Sequence, residues 1–359
     1  MKEILDIYSD YLLSSFGQTT ATGLSELLGN NLSHDQITRR LGKEKLTPKA
    51  WWKIVKPIVR QIEAENGVLI FDDSISEKPY TDENDIVCWH WDHSKNSLVK
   101  GINFITALYQ VNDISLPVTF EIIEKTERYK DEKTGKEKRR SSTSKNEHLR
   151  SMARHCVKNE LLLRYILADS WFSSAENMRL IKEELKTEFI FAIKSNRNVA
   201  LSEEDKLQGQ YQKISDLGLP ENEPIVVYFE KVPFLLLFLR QVFTNEDGSI
   251  GVRYLVSSDM NLTFDPLITI FKKRWKVEEY HRSLKQNASL SKSPTKTEKT
   301  QVNHFIGSLW AFVKIEMLKV KTNKNHYQLK KTLYISAIKT ALDELRQLAP
   351  ITLGASFSA

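Results

Sequence analysis

Residues 266–286 read PLITIFKKRWKVEEYHRSLKQ. At the α-helical step of about 100° per residue, Phe271, Arg274, Glu278 and Lys285 fall on one narrow stripe. Leu267, Ile270, Val277, Tyr280 and Leu284 form a neighbouring apolar stripe. The stretch therefore predicts one long amphipathic helix that buries one face and presents an acid flanked by two bases beside it. Taken alone, Arg274 and Glu278 are an i,i+4 pair on a solvated face, worth about 0.2–0.5 kcal/mol. Other acids of the chain give the pair a second meaning.

The chain has 359 residues, enough for a main domain and smaller attached parts. Its net charge of +6 is unevenly placed. Residues 266–325 hold 13 Lys/Arg against 4 Asp/Glu, and residues 125–145 hold 9 against 4, whereas 201–225 hold 2 against 6. Clustered base of this kind fits a polyanionic partner, since a Lys or Arg that neutralises a phosphate releases a counterion. Two cysteines, Cys88 and Cys156, make neither a disulfide framework nor a Cys-based metal site, which fits a reduced, cytoplasmic compartment. The N-terminus MKEILDIYSDYLL carries acids and no cleavage-type flank, so it does not read as a signal peptide. The apolar run VPFLLLFLRQVF is short and broken by Arg240, so a strand is expected there and no membrane span.

Residues 1–60 read as a separate helical region. Ser33 and Gln36 have the spacing of a capping box before a short helix that carries Arg39 and Arg40. Two short helices around a Gly turn fit a helix-turn-helix-like DNA-contacting unit, and equally a plain helical subdomain. Strands are expected at 67–71, 98–110, 114–123, 161–167 and 188–194, with helices at 146–158 and 173–186. Residues 125–145, polar and basic, read as a mobile loop. Residues 197–262 read as a β-rich insertion, with strands at 225–230, 234–243 and 251–257 and a hairpin turn at 245–248. Two helices, 302–319 and 329–348, complete the chain.

This order predicts an α/β fold, a mixed sheet flanked by helices. Functional groups in such sheets gather at strand C-terminal ends. Asp72 and Asp73 follow the first apolar strand, Asp169 follows a later one, and Glu278 lies on the late helix. Three converging carboxylates would hold two Mg²⁺ about 3.5–4 Å apart, suited to in-line phosphoryl displacement. Oxygen ligands suit hard cations, and His or Cys would not. Neighbouring Asp72 and Asp73 point to opposite faces of a strand, so one of them reaches the site. Asp72, which ends the apolar run, is favoured, and Asp73 stays the alternative. Asp169 alone also reads as a helix N-cap.

Asp72-Asp-Ser, Ala168-Asp-Ser-Trp-Phe-Ser-Ser and Phe271-Lys-Lys-Arg-Trp-Lys-Val-Glu-Glu-Tyr-His-Arg-Ser-Leu-Lys together resemble the three signature segments of DDE transposases of bacterial insertion sequences. The third resembles the branch with the signature Tyr-x2-Arg-x3-Glu-x6-Lys, with Phe271 in place of Tyr. The resemblance spans roughly residues 65–320 and implies a ribonuclease-H-like core. The parts would be an N-terminal DNA-end-binding region (1–60), the catalytic core in two segments (61–196 and 263–320), the insertion (197–262) and a C-terminal helical region (321–359). It implies Asp72, Asp169 and Glu278 as catalytic metal ligands for Mg²⁺, with Mn²⁺ as a substitute. Arg274 and Lys285 would contact DNA phosphates, and Phe271, Arg282, Arg39 and Arg40 complete the implied DNA-binding set. The Phe at 271 lacks the hydroxyl that a Tyr would offer a phosphate. The implied partners are double-stranded DNA and a second copy of the chain, in a nucleoid-associated cytoplasmic protein.

Overall fold

Side-chain caps set the first helices. The computed structural model describes residues 2–132 and 134–348. It opens with α1 (Lys2–Ser14), α2 (Ala21–Leu27), α3 (His34–Lys43) and α4 (Pro48–Ile62). Thr20 and Thr47 cap α2 and α4, and Ser33 and Gln36 form the expected capping box on α3. Trp51 of α4 is fully buried, and its indole N–H donates to the Pro117 carbonyl at 2.8 Å, which ties the helical region to the sheet.

The first sheet strands are β1 (Val68–Glu77), β2 (Val87–Asp92), β3 (Ser97–Val111) and β4 (Ile114–Ile122). The long β3 pairs antiparallel with β1 on one side, and with both β2 and β4 on the other. A small hairpin of β5 (Glu127–Lys130) and β6 (Glu137–Arg140) follows, where the sequence predicts a mobile loop. Its order is electrostatic. Arg128 pairs with Glu137 and Arg140 with Glu127 across the hairpin, and Arg139 reaches Asp85 at 2.8 Å. Then come α5 (Lys145–Lys158), β7 (Tyr165–Ala168), α6 (Ala175–Arg179), which continues as a π-helical turn over Leu180–Glu184, and β8 (Glu188–Ile193).

β7 lies parallel to β1 and β8 parallel to β7. The central order β4-β3-β1-β7-β8, with three antiparallel strands followed by parallel ones, is a mixed sheet flanked by helices, consistent with the ribonuclease-H-like fold. The β-rich segment adds β9 (Asn198–Ala200), α7 (Glu203–Leu207), β10 (Gln212–Lys213), β11 (Ile225–Phe229), β12 (Leu236–Thr244) and β13 (Ile250–Ser257). It is no separate layer. β13 pairs antiparallel with β8, and β12, β11, β9 and β10 continue the same sheet outward.

The stretch 266–286 is helical, but in two pieces. α8 (Phe264–Lys272) and α9 (Lys276–Gln286) are joined by a 3-10 turn over Lys273–Trp275 whose flanking residues keep right-handed helical angles. α10 (Glu298–Thr322) is buried over most of its length and packs on α1, α3, α9 and β4. α11 (His326–Leu348) is exposed over most of its length. Its start is fixed by Ser283 of α9 and Glu316 of α10, which meet His326 Nδ1 at 2.7 Å and Nε2 at 2.6 Å. Residues 349–359 of the expected C-terminal region lie outside the described residues. No described helix is long and apolar enough to cross a membrane.

Candidate active site

The pairing of β1 with β7 runs from Val68–Tyr165 to Phe71–Ala168 and ends there. The next residues are Asp72 and Asp169. Two acids thus sit just past the last paired residues of adjacent parallel strands, a backbone spacing of about 4.8 Å; β7 ends there, whereas β1, expected to stop at 71, runs on to Glu77 beside β3 and carries Asp72 within it. α9 packs against β1 and brings Glu278 to the same place. All three acids line one open cleft of about 930 Å³.

The strand pleat separates Asp72 from Asp73. Asp73 accepts from Lys145 Nζ at 2.6 Å and from Asn103 Nδ2 at 3.3 Å, so its charge already has a partner. Asp72 faces α9, and its carboxyl is held well above the usual carboxylate range. Burial is the main cause, followed by the charges of Glu278, Asp73 and Asp169, with Arg274 opposing. Like charges crowded in a buried site need a cation or a proton between them.

Asp169 accepts from the Trp171 N–H at 3.0 Å and caps the 3-10 turn Ser170–Phe172. The following helix has its own cap, Ser174. The N-cap reading and the cleft reading of Asp169 therefore both apply, because one carboxylate oxygen serves the turn. Burial raises the Asp169 pKa, while the Trp171 N–H and Arg274 pull it down.

Arg274 Nη1 lies 3.5 Å from Glu278 Oε1, and Lys285 Nζ donates to Ser74 Oγ at 2.8 Å. Burial lowers the Lys285 pKa. Arg282 lines the cleft and is exposed. Phe271 is not on this surface. It is buried, with the Arg253 guanidinium 5.6 Å from its ring centroid, so the DNA contact expected of it gives way to a core role. A ring with no polar atom is free to turn inward, and the 3-10 turn at 273–275 separates it from the cleft-facing residues that follow. Arg39 and Arg40 are exposed on α3, which packs on α10, and are not among the cleft-lining residues.

Several cleft residues escaped the sequence reading. His281 lies one helical turn after Glu278, with Nδ1 3.8 Å from Asp72 Oδ2. Helical spacing from Glu278 would have found it. Trp171 is half exposed in the cleft, with Lys194 and Lys145 ammonium groups 5.5 Å and 6.0 Å from its ring centroid and His93 beside it. Those four residues come from separate elements, so no local pattern joins them.

The donor set fits a divalent cation. One ligand atom each from Asp72, Glu278 and His281 lie within 4.8 Å of one another, and Asp72 is buried among like charges. Asp169 falls outside that tight group but lines the same cleft.

Two family models match the chain. One described as DDE superfamily endonuclease matches residues 1–214 and so spans both Asp72 and Asp169. One described as transposase DDE domain matches residues 135–313 and spans Asp169 and Glu278. No curated protein matches the chain. The two matches overlap over residues 135–214, which include Asp169, and the first covers more than half of the 359 residues: the protein belongs to the DDE superfamily of endonucleases, and its later part matches a transposase DDE domain.

Proposed function

We propose that the protein is the transposase of a bacterial insertion sequence, cutting DNA at the element ends and joining the freed ends to target DNA. The observation that carries this reading is the convergence of Asp72, Asp169 and Glu278 in one cleft rimmed by bases. In this reading the three carboxylates hold divalent cations, Mg²⁺ or Mn²⁺. When bound, these supply positive charge for the phosphoryl oxygens and acidify the attacking water. The residues of the chain do the rest by positioning. Arg274 and Lys285 hold phosphates on either side of the acids. Arg282 extends that track along α9, and Lys145 and Lys194 extend it on the opposite wall. Cleavage breaks the P–O3′ bond, leaving a 3′-hydroxyl and a 5′-phosphate. That hydroxyl then attacks a second phosphorus, on the opposite strand or on target DNA, forming a new P–O3′ bond as the P–O3′ bond already there breaks and its 3′-oxygen leaves as a hydroxyl.

The third segment supports the Tyr-x2-Arg-x3-Glu-x6-Lys branch through Arg274, Glu278 and Lys285, with a buried Phe271 replacing the Tyr. The helical region 1–60, with Arg39 and Arg40 exposed on α3, is the proposed reader of the element end. Two ends must be joined, so the working form is proposed to be a homodimer on DNA.

The test is a duplex carrying the element end, incubated with the full chain and Mg²⁺ or Mn²⁺. Nicking that stops with EDTA, followed by covalent joining of a labelled 3′-hydroxyl end to target DNA, is the expected result. Cleavage without joining would make the protein a hydrolytic nuclease instead. A further expectation concerns Trp171. An exposed indole between two ammonium groups is a stacking platform for an unpaired base, worth about 1–3 kcal/mol. Trp171→Ala therefore weakens binding of an end with an unpaired terminal base about 5- to 100-fold, and leaves fully paired duplex binding nearly unchanged in a gel-shift titration.

A further inference from the structure

His281 is odd as a core residue. Its side chain is 7% exposed, and its Nε2 is buried with no hydrogen-bond partner among the described residues. A buried polar atom left unpaired costs about 1–3 kcal/mol. Packing does not require the nitrogen. Phe104 meets the ring edge-on with centroids 5.7 Å apart, a contact that an apolar side chain would make as well. Nδ1 is 3.8 Å from Asp72 Oδ2, too long for a hydrogen bond. Yet a ring nitrogen lies within 4.8 Å of carboxylate oxygens of both Asp72 and Glu278. That spacing leaves room for an ion among the three.

We infer that His281 is a nitrogen ligand of the cation held by Asp72 and Glu278, and that this site takes a divalent transition ion that accepts imidazole in preference to Mg²⁺. The inference rests on the reading of Asp72 and Glu278 as metal ligands. It departs from the expectation of an all-oxygen site. Imidazole suits transition ions such as Fe²⁺, Ni²⁺ and Zn²⁺, whereas Mg²⁺ favours oxygen and water; Mn²⁺ serves here as the paramagnetic probe. Asp169, outside the tight group, marks the side of the cleft where the ligands are carboxylate alone.

The test is pulsed electron paramagnetic resonance on the full chain loaded with Mn²⁺, with and without ¹⁵N-labelled histidine. The expected spectrum shows modulation from a directly bound ¹⁴N that changes to ¹⁵N on labelling and disappears in His281→Gln. The same variant weakens Mn²⁺ binding about 10- to 100-fold and changes Mg²⁺ binding by less than about threefold, as the ligand preferences require. The wild-type spectrum alone decides if that variant fails to fold. Mn²⁺ that binds, is lost in Asp72→Asn and shows no histidine nitrogen would overturn the inference and leave the carboxylate site standing. A nitrogen signal that persists in His281→Gln overturns it too, since His90 and His93 line the same cleft. Mn²⁺ binding untouched by Asp72→Asn and by Glu278→Gln would instead remove the underlying reading of the acids.

Discussion

Glu278→Gln slows DNA cleavage by about a thousandfold or more, the scale seen when a preorganised charge-stabilising group is lost, while DNA binding is kept. Gln has the size of Glu, so α9 keeps its packing. The loss is one negative charge in a cleft where Asp72 already repels it, so the grip on a divalent cation falls and with it the stabilisation of the reacting phosphate. The broken pair with Arg274 matters little for stability, about 0.2–0.5 kcal/mol at a partly exposed site. It leaves Arg274 free for a phosphate, so DNA affinity stays level or rises. Asp169→Asn makes the companion variant. The Asn oxygen still accepts from the Trp171 N–H, so the turn Ser170–Phe172 stays capped while the charge is gone. Single-turnover cleavage and a gel-shift titration read both. If either variant cuts within about tenfold of wild type, against the loss expected from such charge removal, that residue is not a metal ligand.

Asp72→Asn has the opposite effect on the fold: it stabilises the metal-free protein. The Asp72 carboxyl has a raised pKa in the folded state, against about 3.9 unfolded. Between those two values the folded protein binds the extra proton, so stability falls as pH climbs from about 4 through the folded value. The penalty is about 1.4 kcal/mol for each pH unit separating the two. Asn carries no charge and escapes it. In EDTA at neutral pH the variant melts higher, by about 1–2 °C per kcal/mol for a chain of this length, and the gap closes near pH 4. Adding Mn²⁺ reverses the order, because an ion that binds only the folded state at 100 times its Kd adds about 2.7 kcal/mol. Melting curves from pH 4 to 8, with EDTA and with Mn²⁺, test this. A variant that melts below wild type in EDTA at neutral pH would show that the repulsion does not burden the fold.

Much of the architecture was legible because it rests on local rules. Apolar runs ending in acids mark Asp72 and Asp169, although β1 continues past Asp72 to Glu77 and only Asp169 stands at a strand end, and the cap at Ser33 fixes the start of α3. The rest depends on partners that no window contains. The break at Lys273–Trp275 carries neither Gly nor Pro, and its backbone stays in the right-handed region, so periodicity passes over it. The hairpin β5–β6 has polar side chains on both faces, so it shows no alternation, and it is held by ion pairs across the hairpin and by one from Arg139 to the distant Asp85. β2 was missed because its exposed Trp89 and Trp91 blur the apolar pattern. The outward strands read correctly as β-rich, but only the pairing shows that they share the central sheet. His281 was passed over because oxygen-only chemistry was expected around the acids.

That shared sheet bears on how such chains change over time. β8 is laced to β7 on one flank and to β13 on the other. Pruning residues 194–257, β13 included, would strip one flank of a strand whose side chains include the buried Phe189 and Phe191, and an apolar strand with one open flank recruits other chains. The appendage is thus stitched to its host by main-chain bonds, and a lineage could trim it only by inventing a new neighbour for β8.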